Sequence, residues 1–179
     1  MMTGANKRGP AMLDALTIAI FPALMIYAAF SDILTMTISN WVSLVLVVAF
    51  VLLALLFGLP AATIGWHLAA GMIVLVVTFT FFAFGWIGGG DAKLAATTAV
   101  WMGVEHVGQY AVGAALIGGG LTLMMLAFRR LPMPGWARAQ SWVMRLHDKN
   151  IGVPYGVALA AAALILYPET RIYLSALAS

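Results

Sequence analysis

Cysteine is absent from all 179 residues, which excludes disulfides, thiolate metal sites and cysteine-nucleophile chemistry. Charge is scarce as well: 8% of residues are Asp, Glu, Lys or Arg, against roughly 25% in a water-soluble domain. With 64% hydrophobic residues, a domain of this size has too little interior to hide its own apolar surface. Lipid can cover that surplus, so an integral membrane protein is expected. No nucleic-acid-binding surface is expected, since the basic residues lack a soluble domain to present them. His67, His106 and His147 are dispersed along the chain. They do not make a metal site, and neither metal nor cofactor is expected.

What is abundant is apolar sequence, and its interruptions set the organisation. The first run, Ala15–Phe30, contains Pro22 and ends at Ser31-Asp32. Lys7 and Arg8 ahead of it give it the look of a secretory signal, but everything downstream is equally apolar, so a retained span is expected. From Ile33 to Gly90, 58 residues pass without one Asp, Glu, Lys or Arg. That is too long for a single crossing, which takes about 20 helical residues. Gly58-Leu59-Pro60 marks the break, leaving spans near Trp41–Phe57 and Ile64–Gly85. Trp41, Trp66 and Trp86 fall near span ends, where indole rings favour the headgroup boundary. Ala92–Gly103 is short for a crossing, whereas Val107–Phe128 is full length and carries Gly113 and Gly118-Gly119-Gly120. Small residues of this kind let helices approach closely in lipid. Arg129–Gly152 is the one long polar stretch, and Val153–Tyr167 is the last apolar run. The expected fold is an all-α polytopic membrane helix bundle, one membrane-embedded domain over residues 1–179, with about six transmembrane helices and the fourth short or partly re-entrant.

Basic residues orient such a bundle, because loops rich in Lys and Arg stay in the cytoplasm. A cytoplasmic Arg129–Gly152 loop puts both termini outside and the Asp32 and Asp91 loops inside. Six basic residues (Lys93 and five in the loop) then lie inside, against Lys7, Arg8 and Arg171 outside. The Lys7-Arg8 pair argues the other way.

Of the six acidic residues, Asp14, Glu105 and Glu169 flank spans on the expected outer face, and Asp148 sits among Arg145 and Lys149. All four read as solvated loop residues. Asp32 and Asp91 differ, because each interrupts an apolar run and both fall on one face. A carboxylate at the membrane boundary is costly, and its presence points to function. Each can also cap a helix; Asp91 is placed to accept N–H bonds from a turn beginning at Ala92. Two carboxylates facing each other share a proton, one serving as base toward a water and the other as acid toward a carbonyl. Gly88, Gly89 and Gly90 permit positive φ and the close approach of a substrate backbone. A hinge or a packing patch fits the same three glycines.

At these residues the chain resembles a known family. Gly88-Gly89-Gly90-Asp91 matches the GxGD motif of membrane aspartyl proteases, and the stretch Gly88–Lys93 is similar to the form found in type IV prepilin peptidases. Asp32 with Ile38 and Asn40 resembles that family's first-aspartate element, although Ser39 stands in place of a proline and the basic residues that often follow the aspartate are missing. Val153-Pro154-Tyr155-Gly156 resembles the element that opens the last helix. The short length and missing cysteines are similar to the minimal form associated with Flp-type, tight-adherence pili.

The resemblance implies an aspartic endopeptidase with Asp32 and Asp91 as catalytic carboxylates and Gly88–Gly90 shaping a substrate cleft. Asn40, Lys93, Pro154, Tyr155 and Gly156 would be supporting residues, Lys93 either tuning the carboxylate or anchoring its loop at the headgroups. The implied partner is a prepilin or pseudopilin precursor, cleaved at the cytoplasmic face of a bacterial inner membrane, with no methyltransferase activity. Three rivals remain. A presenilin-like protease shares the second aspartate, but its first follows a tyrosine where Ser31 stands here. A small transporter or channel subunit would use paired intramembrane acids to carry protons or cations. A non-catalytic pilus assembly factor would keep the fold alone.

Overall fold

A computed structural model describes residues 8–178, with side chains from residue 14 onward. The Lys7-Arg8 pair, on which part of the orientation reading rests, lies outside the described side chains. The described residues form helices and loops: α1 (Arg8–Thr35), α2 (Asn40–Leu56), α3 (Ala61–Ala83), α4 (Gly89–Phe128), α5 (Gly135–Arg138), α6 (Ser141–His147), α7 (Tyr155–Leu166), a 3₁₀ turn (Tyr167–Glu169) and α8 (Arg171–Ala178). Among the described residues, three helices are long and apolar enough to cross a membrane. They number four if the bent pair Tyr155–Glu169 and Arg171–Ala178 counts as one. α2, at 17 residues, is a shorter apolar helix. All six apolar runs of the sequence are helical, but length and apolarity do not by themselves make each one a span.

The breaks follow backbone chemistry. α2 ends where Gly58 takes φ 67°, with Leu59 N–H donating to Ala54 O and Gly58 N–H to Leu55 O. Those two crossed bonds satisfy carbonyls that the helix end leaves unpaired. α3 ends the same way at Gly85, with Trp86 N–H on Phe81 O and Gly85 N–H on Phe82 O. α1 has no glycine for this purpose. Met36 takes φ 56° and donates its N–H to Asp32 O at 2.8 Å, a left-handed cap that costs about 1–3 kcal/mol in a non-glycine residue. Hydroxyls hold the strained turn: Ser31 Oγ donates to Thr37 O at 2.9 Å, and Thr35 Oγ1 to Ser31 O at 2.7 Å.

α4 is two helices joined at Gly103, whose φ 65° and ψ 179° are not helical. Residues before and after it, Asp91 and Ala95 on one arm and Val107 to Ala115 on the other, line one cavity. The arms therefore lie side by side, and the short fourth run is the first arm of a hairpin. His67 fits beneath the bend: a Cβ on Gly103 would lie 2.6 Å from its ring. His67 Nδ1 is 2.7 Å from Val100 O, so this buried histidine is a satisfied core residue.

Small residues bring the helices together where larger ones would not fit. Gly71 on α3 lies against Val100, and Gly118 on α4 receives the Tyr155 ring. Gly119 and Gly120 face open space, so of that glycine triplet only Gly118 serves packing. The core centres on Phe21, Phe50, Trp101 and Tyr167, which join α1, α2, α4 and the end of α7. Trp101 Nε1 donates to Leu46 O at 3.0 Å, satisfying the one polar atom of a fully buried ring. Trp41, Trp66 and Trp86 are exposed, in keeping with positions at span ends.

Candidate active site

Asp32 sits in the last turn of α1 and is 5% exposed. Its Oδ2 accepts the Gly156 N–H at 2.7 Å. Gly156 lies in the first turn of α7, where backbone N–H groups have no intrahelical partner, so the start of one helix holds the carboxylate at the end of another. The residue must be glycine, since a Cβ there would lie 2.8 Å from Asp32 Oδ2 and 2.6 Å from Ile38 Cδ1. Pro154 is the N-cap of α7, with φ −70° and ψ 79°, and so stands one place before the first helical turn.

Asp91 occupies the third position of α4, inside the first turn, because the helix starts at Gly89 and not at Ala92. The Gly88 backbone N–H faces its carboxylate, and Gly88 O accepts Ala92 N–H at 3.0 Å. An acid at this position is placed as in the return half of a capping box, in which an acidic side chain faces the N-cap donor. A Cβ on Gly88 would lie 3.0 Å from Asp91 Oδ2. The half-buried carboxylate thus lies close over the Gly88 backbone, where a side chain would crowd it.

The two carboxylates line a common cleft of about 270 Å³ whose remaining walls are residues 36–38 and 88–90. The glycines are needed for this closeness rather than for positive φ: among the described glycines only Gly58, Gly85 and Gly103 adopt it. A Cβ on Gly90 would lie 3.1 Å from Ile38 Cβ and 3.3 Å from Ile38 N, and one on Gly89 would lie 3.3 Å from the Phe82 ring. The 88–91 turn therefore rests directly on the 36–38 turn.

Asn40 and Lys93 are both exposed, and Lys93 Nζ donates to Asn40 Oδ1 at 2.8 Å. The lysine ties the start of α2 to the second turn of α4, two residues past Asp91. Tyr155 donates its hydroxyl to Ala114 O at 3.1 Å. Its ring also lines a second cavity, of about 310 Å³, between α3, both arms of α4 and α7. Asp91 is the one charged residue in that wall, which is otherwise apolar apart from the hydroxyls of Thr78, Tyr110 and Tyr155. It therefore stands between a polar cleft and an apolar chamber.

His67, His106 and His147 bond to Val100 O, Gln109 and Leu131 O respectively, and none lines the cleft. Among the described residues no three His, Asp or Glu side chains gather into a metal-binding group. Glu105 pairs with Arg171, so it is not a lone solvated carboxylate. Sequence reasoning missed Ser31, the left-handed Met36 and the buried Arg129. The signal for the first was present, as Ser31 and Thr35 are spaced to bond across one helical turn.

Two carboxylates held over one water-accessible cleft can take a proton from a bound water and deliver one to a carbonyl. Comparison with known proteins points to a peptidase. A family model described as the type IV leader peptidase family matches residues 19–127, an interval that contains both aspartates, the three glycines, Asn40 and Lys93. No curated protein sequence and no solved structure gives a match. With more than half its length matched, the chain belongs to the type IV leader peptidase family.

Proposed function

We propose that the protein is a membrane aspartyl endopeptidase that removes the short basic leader from prepilin-like precursors. The observation that carries this reading is that Asp32 and Asp91 line one polar cleft. In the proposed reaction one carboxylate, ionised, takes a proton from water as it attacks the scissile carbonyl. The other, protonated, hydrogen-bonds the carbonyl oxygen and stabilises the tetrahedral intermediate. Proton return to the departing amine completes cleavage.

The position of Asp91 supports the choice of substrate. A chain cleaved there would have one side in the polar cleft and the other against the apolar chamber. A precursor with a basic leader followed by an apolar helix has that division. The arrangement of charge supports a cytoplasmic site: Arg145 donates to Leu34 O at the Asp32 end of α1, so part of the basic segment shares an end with the carboxylate. In the proposed topology each arm of α4 is a crossing, along with α1, α2, α3 and α7, which makes six. A bacterial inner membrane and peptidase activity without methyl transfer complete the reading.

The test is co-expression with a prepilin precursor, leader removal being read by gel mobility. Asp32→Asn and Asp91→Asn are each expected to abolish processing while folded protein accumulates. Normal processing by either variant overturns the reading, and would leave a transporter or assembly role to explain the paired acids.

A further inference from the structure

We infer that Arg129 is a positioning residue for the Asp32 site, acting through the turn that starts α7, with Arg145 bracing the end of α1 from the same segment. This rests on Asp32 being a catalytic carboxylate, as proposed above.

Residues 129–152 carry five basic side chains, and composition alone makes them a solvated, orienting loop. Arg130, Arg138 and Lys149 fit that description, being exposed. Arg129 does not, at 8% exposure. A guanidinium withdrawn from water is tolerated only where its donors find partners, and here backbone oxygens take the Nε and Nη2 donors. Nε donates to Leu146 O at 2.8 Å, while Nη2 donates to Ile151 O at 2.9 Å and Gly152 O at 2.8 Å. Orientation in the membrane requires the charge of this residue and not its burial, so the geometry calls for a separate explanation.

The carbonyls it holds supply one. Gly152 lies four residues before Gly156, whose N–H holds Asp32, and Pro154, with its fixed φ, stiffens the connection. Leu146 adjoins Arg145, whose Nη2 donates to Leu34 O, two residues beyond Asp32. The contacts close a ring: from Arg129 through Gly152 and Gly156 to Asp32, then through Leu34, Arg145 and Leu146 back to Arg129. Both ends of that ring fix the carboxylate, one by its side chain and the other by its helix. Lysine at 129 would keep the charge but not a donor set that reaches three carbonyls from two directions.

The test uses full-length protein purified in lipid, with a purified prepilin precursor as the probe. Arg129→Lys, Arg129→Gln and Arg145→Gln are compared with Arg138→Gln, which removes the same charge from the same segment. Loss of positioning predicts kcat lower by about tenfold to a hundredfold for both Arg129 variants, with KM within about twofold. The pH–rate profile is expected to shift, because Asp32 would lose the Gly156 donor, and Arg138→Gln is expected to match wild type. Wild-type kcat and pH profile in Arg129→Lys overturn the inference, as does equal damage from Arg138→Gln. Where the Arg129 variants do not fold, a wild-type kcat and pH profile in Arg145→Gln overturns it. Asp32→Asn and Asp91→Asn run alongside: cleavage by these defeats the protease reading itself, whereas their inactivity beside a normal Arg129→Lys defeats the positioning role alone.

Discussion

The Gly156 N–H donates to Asp32 Oδ2 at 2.7 Å across a sequence separation of 124 residues. The first turn of α7 therefore holds a carboxylate that the last turn of α1 delivers, and glycine is the one residue whose side chain leaves room. Asp91 is held differently, by the first turn of its own helix, where the Gly88 N–H faces it. One acid is anchored across the bundle and the other locally, and the two turns that carry them touch at Ile38 and Gly90.

Gly156→Ala should separate positioning from binding. Its Cβ would meet Asp32 Oδ2 at 2.8 Å, so the carboxylate must move or the helix start must shift. We expect kcat to fall by about tenfold or more and stability to drop by about 1–3 kcal/mol. Kinetics and thermal melting in lipid check both.

The glycines of α4 divide into those that pack and those that do not. Gly118→Ala would drive a methyl into the Tyr155 ring, and a loss of about 1–3 kcal/mol is expected. Gly119→Ala and Gly120→Ala meet nothing within 4 Å and should be neutral, or stabilising by up to about 1 kcal/mol through helix propensity. Melting temperatures of the three variants provide the comparison.

His67→Ala tests whether that histidine is structural. It removes a buried ring stacked near Phe50 and its bond to Val100 O. A loss of about 2–5 kcal/mol follows from the cavity and the unpaired carbonyl. The folded fraction should cleave at the wild-type rate, because His67 does not line the cleft. A proportionate loss of kcat in fully folded protein would contradict this assignment.

Activity should follow a bell-shaped dependence on pH. The proposed reaction needs one carboxylate ionised and the other protonated. Activity therefore falls on the acid side as both become protonated, and on the alkaline side as both ionise. The two limbs belong to the pair rather than to either residue. A profile with only one limb would argue against an acid–base dyad.

The features that chain chemistry decides locally were legible in the sequence. Gly58 and Gly85 end α2 and α3 because a helix C-terminus needs a left-handed residue, and glycine supplies it. Asp32 and Asp91 stood out because acids are rare in such an apolar chain. Contacts between distant elements were not legible. Gly88, Gly89 and Gly90 fitted positive φ, a close substrate approach, a hinge or a packing patch equally; the neighbours that decide it are Ile38 and Phe82 for two of them and the Asp91 carboxylate for the third. Gly103 closed the short fourth run in the sequence, but nothing there showed the His67 ring packed beneath the bend. Arg129 was indistinguishable from Arg130, since burial of a guanidinium depends on carbonyls that the fold brings to it. The Lys93–Asn40 bond links two motifs that the sequence offered separately.

The central claim is that Asp32 and Asp91 together perform the cleavage. The most direct measurement is the rate at which purified wild-type, Asp32→Asn and Asp91→Asn proteins in lipid remove the leader from a prepilin precursor, followed by intact mass. The account predicts a single leader-length mass loss with wild type, and rates at least about a thousandfold lower for each variant, since both carboxylates are needed for one proton relay. Wild-type cleavage by either asparagine variant would contradict it.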